Sequence, residues 1–431
     1  MVNYFTKKYM LIGITFLFLI VIIVNSILKK EYDSPLLVYA LLWSAILGLY
    51  SLKLYGIYDV CLETELVILL SVLFFVLGYM FMKHVNLWIP QYLIENAYND
   101  RRMAVVYLVV VLLSLSFYLP NIKLFLSGIS VAQIKRMLVL GEIKWGGVKM
   151  QYIVRPFTYI LIANSTYYLL NSTKKTIYEI ATIIFGILFV IFEFFGTGSK
   201  TVIMYYALAL FFPILGKIRI KFTYKMKKMS IIGIILVIGL AIYMGIESIY
   251  FYLCGCVPML DKIIVNEEAF YIPHGHTYGF LTFNSCVRLL IKGFHLLGIN
   301  IDSKYFEMAN TCILRFEYTT QISTVGNYNA FHTYMGDFFV DFGIVGVIIL
   351  SFVFGAFCMY VYRIYKETGS VYGHILYCII IYYIVFSMVR FQLSNTFFGF
   401  MLIYTLIFLK ILLYKKGILA GKGKKQNDEK C

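Results

Sequence analysis

Apolar segments recur along the whole chain, and each is about as long as the 20 residues that a helix needs to cross a bilayer. Of the 431 residues, 61% are hydrophobic and 14% are charged, whereas soluble domains are about 45–50% apolar and about 25% charged. In lipid the backbone must satisfy its own polar groups, and runs this long favour helices over the short alternating strands of a barrel. The sequence therefore predicts an all-α polytopic membrane protein.

We expect about eleven transmembrane helices in one membrane domain over residues 1–431. The first apolar segment lacks a small-residue cleavage site and is followed at once by others, so we interpret it as a retained helix and not a signal peptide. The predicted spans lie near residues 9–28, 35–52, 64–83, 104–120, 151–170, 176–196, 200–216, 229–251, 336–362, 371–389 and 396–414.

The distribution of lysine and arginine predicts the orientation, because cytoplasmic loops are enriched in both. Residues 217–228 contain six basic residues and no acid, and the tail 415–431 contains six against two acids. Both should be cytoplasmic, which accounts for much of the net charge of +16 without a nucleic-acid partner. The loops 121–150 and 252–335 then face outward. Counting spans back from the cytoplasmic segment 217–228 puts the N-terminus outside. Lys7 and Lys8 favour the cytoplasm instead, so we expect that one early span is missing from the count or wrongly included.

Each outward loop is predicted to carry a short interfacial helix. In loop 121–150, Ser130 and Gln133 have the capping-box spacing, Val131, Ile134 and Leu138 form an apolar stripe, and Gly141 would end the helix. In loop 252–335, apolar residues recur at helical spacing between Phe280 and Leu297. This second loop also holds Cys254, Cys256, Cys286 and Cys312, which are either free thiols or contain one disulfide.

Candidate anion-binding residues occur in or beside these loops. Gly198, Ser199 and Lys200 join one span to the next, and such a turn at a helix N-terminus can bind an anion; an ordinary turn with a snorkelling lysine is the alternative. Arg136 and Arg315 are each followed by glycine after ten residues, at Gly147 and Gly326. Arginine can bind phosphate with two parallel hydrogen bonds, although either residue could simply be a solvated loop charge.

Candidate acid–base groups follow at the end of the second loop. His332 and Asp337 lie at the predicted membrane edge, and Asp341 lies a turn deeper on the same helical face. A carboxylate there is costly without a partner or a function. It could act as a base, or it could satisfy a nearby arginine or helix end. His274 and His276 lack a third ligand pattern nearby, so no metal site is predicted.

These features together resemble the bacterial polysaccharide repeat-unit polymerases, the Wzy type of O-antigen polymerase. The likeness covers nearly the whole chain in topology. It also includes the paired arginine-x10-glycine elements, the Gly198-Ser199-Lys200-Thr201 turn and the segment from Asn329 to Gly346. The turn is similar to a Gly-Ser-Arg-Thr element of that family, with lysine in place of arginine, which keeps the charge but loses the bidentate geometry.

The resemblance implies a GT-C-like, metal-independent glycosyltransferase of the cytoplasmic (inner) membrane without a cofactor. It would join undecaprenyl-pyrophosphate-linked repeat units into O-antigen of lipopolysaccharide or capsular polysaccharide, with a chain-length regulator as a further partner. Arg136, Arg315 and Lys200 would bind pyrophosphate, and His332 or Asp337 would be the catalytic base.

Three other functions remain open at this stage. A lipid-linked oligosaccharide flippase should show internal repeats and mid-membrane charges, but no repeat is visible. An O-antigen ligase favours a His-Asn pair where this chain has Tyr328-Asn329. A structural or sensory membrane protein is the third.

Overall fold

The computed structural model describes residues 10–86, 100–139, 142–143, 150–171, 175–217, 246–266, 275–301, 303–316, 319–328 and 332–413. These residues are almost entirely helical. The helices are α1 Met10–Leu28, α2 Pro35–Ser51, α3 Leu62–His84, α4 Asp100–Leu126, α5 Val131–Val139, α6 Arg155–Asn171, α7 Ile177–Thr197, α8 Thr201–Lys217, α9 Ile246–Cys254, α10 Cys256–Ile264, α11 Asn284–Leu296, α12 Lys304–Phe316, α13 Thr333–Thr368, α14 Val371–Val385 and α15 Thr396–Leu413. A two-residue antiparallel pair joins β1 Thr320–Gln321 to β2 Asn327–Tyr328.

The all-α prediction is confirmed for the described residues. Helices occupy every predicted span except 229–251, of which only the end from Ile246 is described. Six helices are long and apolar enough to cross a membrane, and length and composition therefore indicate a multi-pass membrane protein. These six are Met10–Leu28, Leu62–His84, Asp100–Leu126, Ile177–Thr197, Thr333–Thr368 and Val371–Met388. The predicted cytoplasmic segment 218–228 and the tail 415–431 lie outside the described residues.

The chain divides into two compact units. Unit one comprises Met1–Val85, Phe211–Tyr360 and Ile380–Gly399, and unit two comprises Asn86–Leu210, Val361–Ile379 and Phe400–Cys431. Each unit therefore combines segments that are distant in the sequence.

Contacts within unit one show that its first three helices alternate in direction. The turn after α2 meets the predicted outward loop, because Tyr58 N donates to Ile322 O at 3.0 Å and Thr324 N donates to Gly56 O at 3.1 Å. At the opposite end, Lys83 at the end of α3 pairs with Glu31 at 3.1 Å. Between Met10 and His84 the predicted count of three helices is therefore correct. Lys7 and Lys8 lie outside the described residues.

Helices α3 and α13 cross with their backbones in close contact. A Cβ added at Gly78 would lie 1.9 Å from the carbonyl oxygen of Phe352, and one at Gly355 would lie 1.9 Å from that of Phe75. Such glycines allow helices in membranes to approach closely. Beside the crossing, four buried hydroxyls form one hydrogen-bonded chain with O–O distances of 2.6–2.8 Å, from Tyr39 through Tyr334 and Ser71 to Ser351.

Helix α13 is interrupted at Gly343, which has φ 64° and ψ −153°. Only glycine adopts this conformation at little cost. The carbonyls freed before the interruption are used by the segment before α11: Thr277 N donates to Val340 O at 3.2 Å, and Tyr278 N donates to Asp341 O at 3.1 Å. The residues from Thr333 to Phe342 therefore form a separate helical segment in front of a long apolar one.

Unit two is built around α4, α6 and α7. A buried ion pair links α6 to α7, with Arg155 Nη2 at 2.6 Å from Glu193 Oε1. Tyr118 of α4 donates to the other oxygen of the same carboxylate. The Glu193 carboxylate, paired on both oxygens, compensates the cost of burying the Arg155 guanidinium. The sequence analysis did not identify this charge pair.

The two short helices expected in the loops are present. In α5 the capping box forms, with Ser130 N donating to Gln133 Oε1 at 2.9 Å and Gln133 N donating to Ser130 Oγ at 3.3 Å. Helix α11 starts at Asn284 and not near Phe280 as the apolar spacing predicted, because residues 277–283 form turns against α13. Gly141 lies outside the described residues.

Candidate functional site

His332 and Asp337 form a buried pair in unit one. His332 Nε2 lies 2.8 Å from Asp337 Oδ1, and both side chains are at most 2% exposed. His332 immediately precedes α13, and Asp337 lies in the segment of that helix before the Gly343 interruption. One turn of helix therefore brings together two of the residues that the sequence analysis proposed as alternative bases.

The backbone of residues 389–391 fixes the position of this pair. Phe391 N donates to Asp337 Oδ2 at 2.6 Å, while His332 N and Thr333 N both donate to Val389 O. Thr333 has φ 67°, an unfavourable conformation for a β-branched residue. Strain of this kind persists only where the surroundings impose it, and it is frequent at functional sites.

The second ring nitrogen of His332 is buried and has no hydrogen-bond partner among the described residues. Asp337 uses one oxygen for His332 and the other for Phe391. A carboxylate accepting from Nε2–H selects the tautomer whose Nδ1 is an unprotonated acceptor. The arrangement therefore suits proton abstraction by His332 Nδ1, with Asp337 orienting the ring and stabilising the imidazolium.

Helix α12 covers the imidazole and brings Arg315 to the same region. The Phe316 ring lies 4.0 Å from the His332 ring, centroid to centroid. Burial raises the pKa of the Cys312 thiol to about 12, and the charges of Arg315, Asp341 and Asp337 all act on this sulfur. The electrostatic influence of Arg315 and of both aspartates therefore reaches this buried thiol. The sequence analysis missed the Phe316 contact, since one aromatic residue in an amphipathic helix gives no signal.

Asp341 has a different environment from Asp337. It accepts hydrogen bonds from Thr277 Oγ1 at 2.5 Å, Leu281 N at 3.2 Å and Thr282 N at 2.7 Å. These donors hold the turn before α11 against α13. Asp341 therefore satisfies a hydroxyl and two backbone amides of this turn.

Of the two motif glycines, Gly326 lies within the described residues. Gly326 lies in the turn between β1 and β2, where its N donates to Ser323 Oγ at 2.6 Å and an added Cβ would lie 2.8 Å from the Phe251 ring. Its role in this turn is therefore close packing. Gly147, Asn329 and His274 lie outside the described residues.

In unit two, the turn at Gly198 packs against α5, the helix that carries Arg136. An added Cβ at Gly198 would lie 2.7 Å from Val131 O and 2.8 Å from Lys135 Cβ. Arg136 lines a shallow open pocket with Gln133 and Glu142. The Gly198 turn and helix α5, both predicted to bind anions, are thus adjacent although α6 and α7 separate them in the sequence. Lys200 and Arg136 are both exposed.

Two backbone N–H groups of this turn already donate to side-chain hydroxyls of the same turn. Ser199 N donates to Thr197 Oγ1 at 3.1 Å, and Thr201 N donates to Ser199 Oγ at 3.3 Å. An anion here would therefore depend more on the Lys200 charge than on free amide groups.

The four cysteines of the predicted outward loop are free thiols in the structure. Burial raises the pKa of the Cys254 thiol to about 12 and also raises the pKa values of Cys256 and Cys286. Neutral thiols are poor nucleophiles, so these residues are packing groups.

The fold and these two sites define the class of the molecule as a multi-pass helical membrane protein with polar sites at helix ends. No family model, curated protein or solved structure matches the chain.

Proposed function

We propose that this chain is a membrane-embedded glycosyltransferase that polymerises undecaprenyl-pyrophosphate-linked repeat units into O-antigen or capsular polysaccharide. The observation that carries the proposal is the His332–Asp337 pair, whose Nδ1 has no partner among the described residues. Glycosyl transfer to a hydroxyl uses an oriented general base, and a buried imidazole held by a carboxylate suits that role. The sequence resemblance supplies the substrate class.

In the proposed reaction, His332 Nδ1 removes the proton from a sugar hydroxyl of the acceptor. The resulting oxygen attacks the anomeric carbon of the donor glycan, a C–O bond forms, and the bond from that carbon to the pyrophosphate breaks. Undecaprenyl pyrophosphate leaves with the negative charge, and His332 later releases its proton to water. Because the imidazole is covered, acceptor binding has to open a path to Nδ1.

Pyrophosphate is a good leaving group, and its developing charge is stabilised best by fixed cations. Arg315, on the helix that covers His332, is proposed to meet this charge in unit one. Arg136 and Lys200 with Ser199 and Gly198 are proposed to bind anionic groups of a lipid-linked substrate in unit two. The scheme requires neither a metal nor a cofactor.

Deletion of the gene tests the function in cells. We expect lipid-linked single repeat units to be exported without being joined, which gel analysis of surface glycan would detect as loss of the polymer ladder. Repeat units trapped at the inner leaflet would instead indicate a flippase. Full-length polymer that accumulates on its lipid carrier would indicate a ligase. Purified protein in liposomes should form the ladder from lipid-linked repeat units in the presence of EDTA.

A further inference from the structure

Arg288 of α11 is held in place by neutral groups. Its Nη2 donates to Asn310 Oδ1 at 2.7 Å and to Asn284 Oδ1 at 3.1 Å, and its Nε donates to Asn284 Oδ1 at 3.3 Å. Its guanidinium also lies over the Phe306 ring at 5.4 Å. Helices α11 and α12 therefore fix this side chain from two sides.

The charge of Arg288 is not neutralised within the described residues, where no carboxylate pairs with it. The three hydrogen bonds use Nε–H and both hydrogens of Nη2. Guanidinium carries five N–H donors, so the two on Nη1 remain for a ligand. A guanidinium that is ordered by two amide oxygens, with no carboxylate beside it among the described residues, keeps its full positive charge, which points to an anion-binding role.

The surroundings of Arg288 indicate which kind of anion it meets. The following part of α11 exposes large apolar side chains, with Leu290 62% and Leu296 90% exposed. A helix with an apolar outer face lies at the boundary between lipid headgroups and acyl chains. The anions concentrated at that depth are phosphates of lipids.

We propose that Arg288 binds the phosphate oxygens of a lipid at the membrane interface, through the Nη1 edge of its guanidinium. Two lipids present this chemistry: an anionic phospholipid and undecaprenyl pyrophosphate. Only the choice of the second as the expected ligand rests on the proposed function. Asn284 and Asn310 position the arginine, and they suit this task because aspartate at either position would cancel the charge.

The proposal is tested with full-length protein in phosphatidylcholine nanodiscs. Undecaprenyl pyrophosphate is titrated in one series and phosphatidylglycerol in another, and bound lipid is measured by native mass spectrometry. The variants are Arg288→Ala, Asn310→Asp and, as a control for net charge, Lys304→Ala on the exposed start of α12. Asn310→Asp is the decisive variant, because its carboxylate still accepts from Nη2 and keeps the helices together while neutralising the site.

We expect Arg288→Ala and Asn310→Asp each to bind lipid phosphate about tenfold more weakly, as for loss of a charge-assisted hydrogen bond. Lys304→Ala should bind like the wild type, and Asn310→Asp should keep the wild-type melting temperature. Weakening in the undecaprenyl series assigns the site to substrate, and weakening in the phosphatidylglycerol series alone assigns it to a structural phospholipid. Unchanged binding of both lipids by Asn310→Asp overturns the proposal. A protein that binds through Arg288 but forms no polymer would contradict the proposed function alone.

Discussion

Asp337 and Asp341 are one helical turn apart, yet their oxygens bind different kinds of donor. Asp337 accepts hydrogen bonds from an imidazole and one amide, whereas Asp341 accepts them from a hydroxyl and two amides. The first arrangement leaves a ring nitrogen free for chemistry among the described residues, and the second satisfies a turn. The same substitution at the two positions should therefore have different consequences.

We expect His332→Gln and Asp337→Asn to lower the polymerisation rate by about 10²–10⁴-fold, the usual contribution of a positioned general base and its partner. Asp341→Asn should instead lower the melting temperature, because it leaves a buried backbone donor unpaired at a cost of about 1–3 kcal/mol. Rates of polymer formation by purified protein, with thermal melts, separate the two effects. Wild-type activity in well-folded His332→Gln would remove this residue from the mechanism.

The arginines give a second prediction at this scale. Arg315→Ala should lose nearly all polymerisation activity and Arg315→Lys much of it. A lysine ammonium is a single point charge, whereas an arginine guanidinium can hydrogen-bond two oxygens at once. The same order is expected at Arg136. Surface glycan ladders at matched protein levels report the result. If both alanine variants polymerise normally, these two residues do not bind the leaving group.

Among the helices, the crossing of α3 and α13 depends on two glycines. Gly78→Ala and Gly355→Ala each place a Cβ 1.9 Å from a backbone oxygen, so we expect each to reduce stability despite the better helix propensity of alanine. Gly13→Ala is the matched control, since nothing lies within 4 Å of its added Cβ, and there alanine should gain up to about 1 kcal/mol. Thermal melts of the three variants in one detergent should show this contrast. Equal behaviour of all three would mean that the helices do not cross this closely.

The helices could be predicted because the length of an apolar run directly reflects the thickness of a membrane. The interruption at Gly343 could not, because the apolar run continues through it and glycine alone does not signal a break. Likewise, His332 and Asp337 could be selected as candidates from their position at the membrane edge. Their partner Phe391 N could not, because a backbone amide leaves no signal in the sequence.

At the scale of the whole molecule, orientation is still a prediction from charge. Reporter fusions at Tyr224 and Asn266 should give cytoplasmic and extracytoplasmic signals, respectively, because residues 217–228 carry six basic residues and no acid. A fusion before Met10 tests whether the N-terminus is outside, as the count of spans predicts, or cytoplasmic, as Lys7 and Lys8 favour. A cytoplasmic signal at Asn266 would put the His332 site on the wrong side for a polymerase.

The hydrogen bond between Phe391 N and Asp337 also imposes an order on biosynthesis. The two residues are 54 positions apart, so the ribosome releases Asp337 well before the amide that completes its coordination exists. Until then, one oxygen of the Asp337 carboxylate lacks its backbone donor. The His332–Asp337 pair thus gains its backbone donor only when the segment after α14 has been made, and a chain ending before Phe391 would lack that donor.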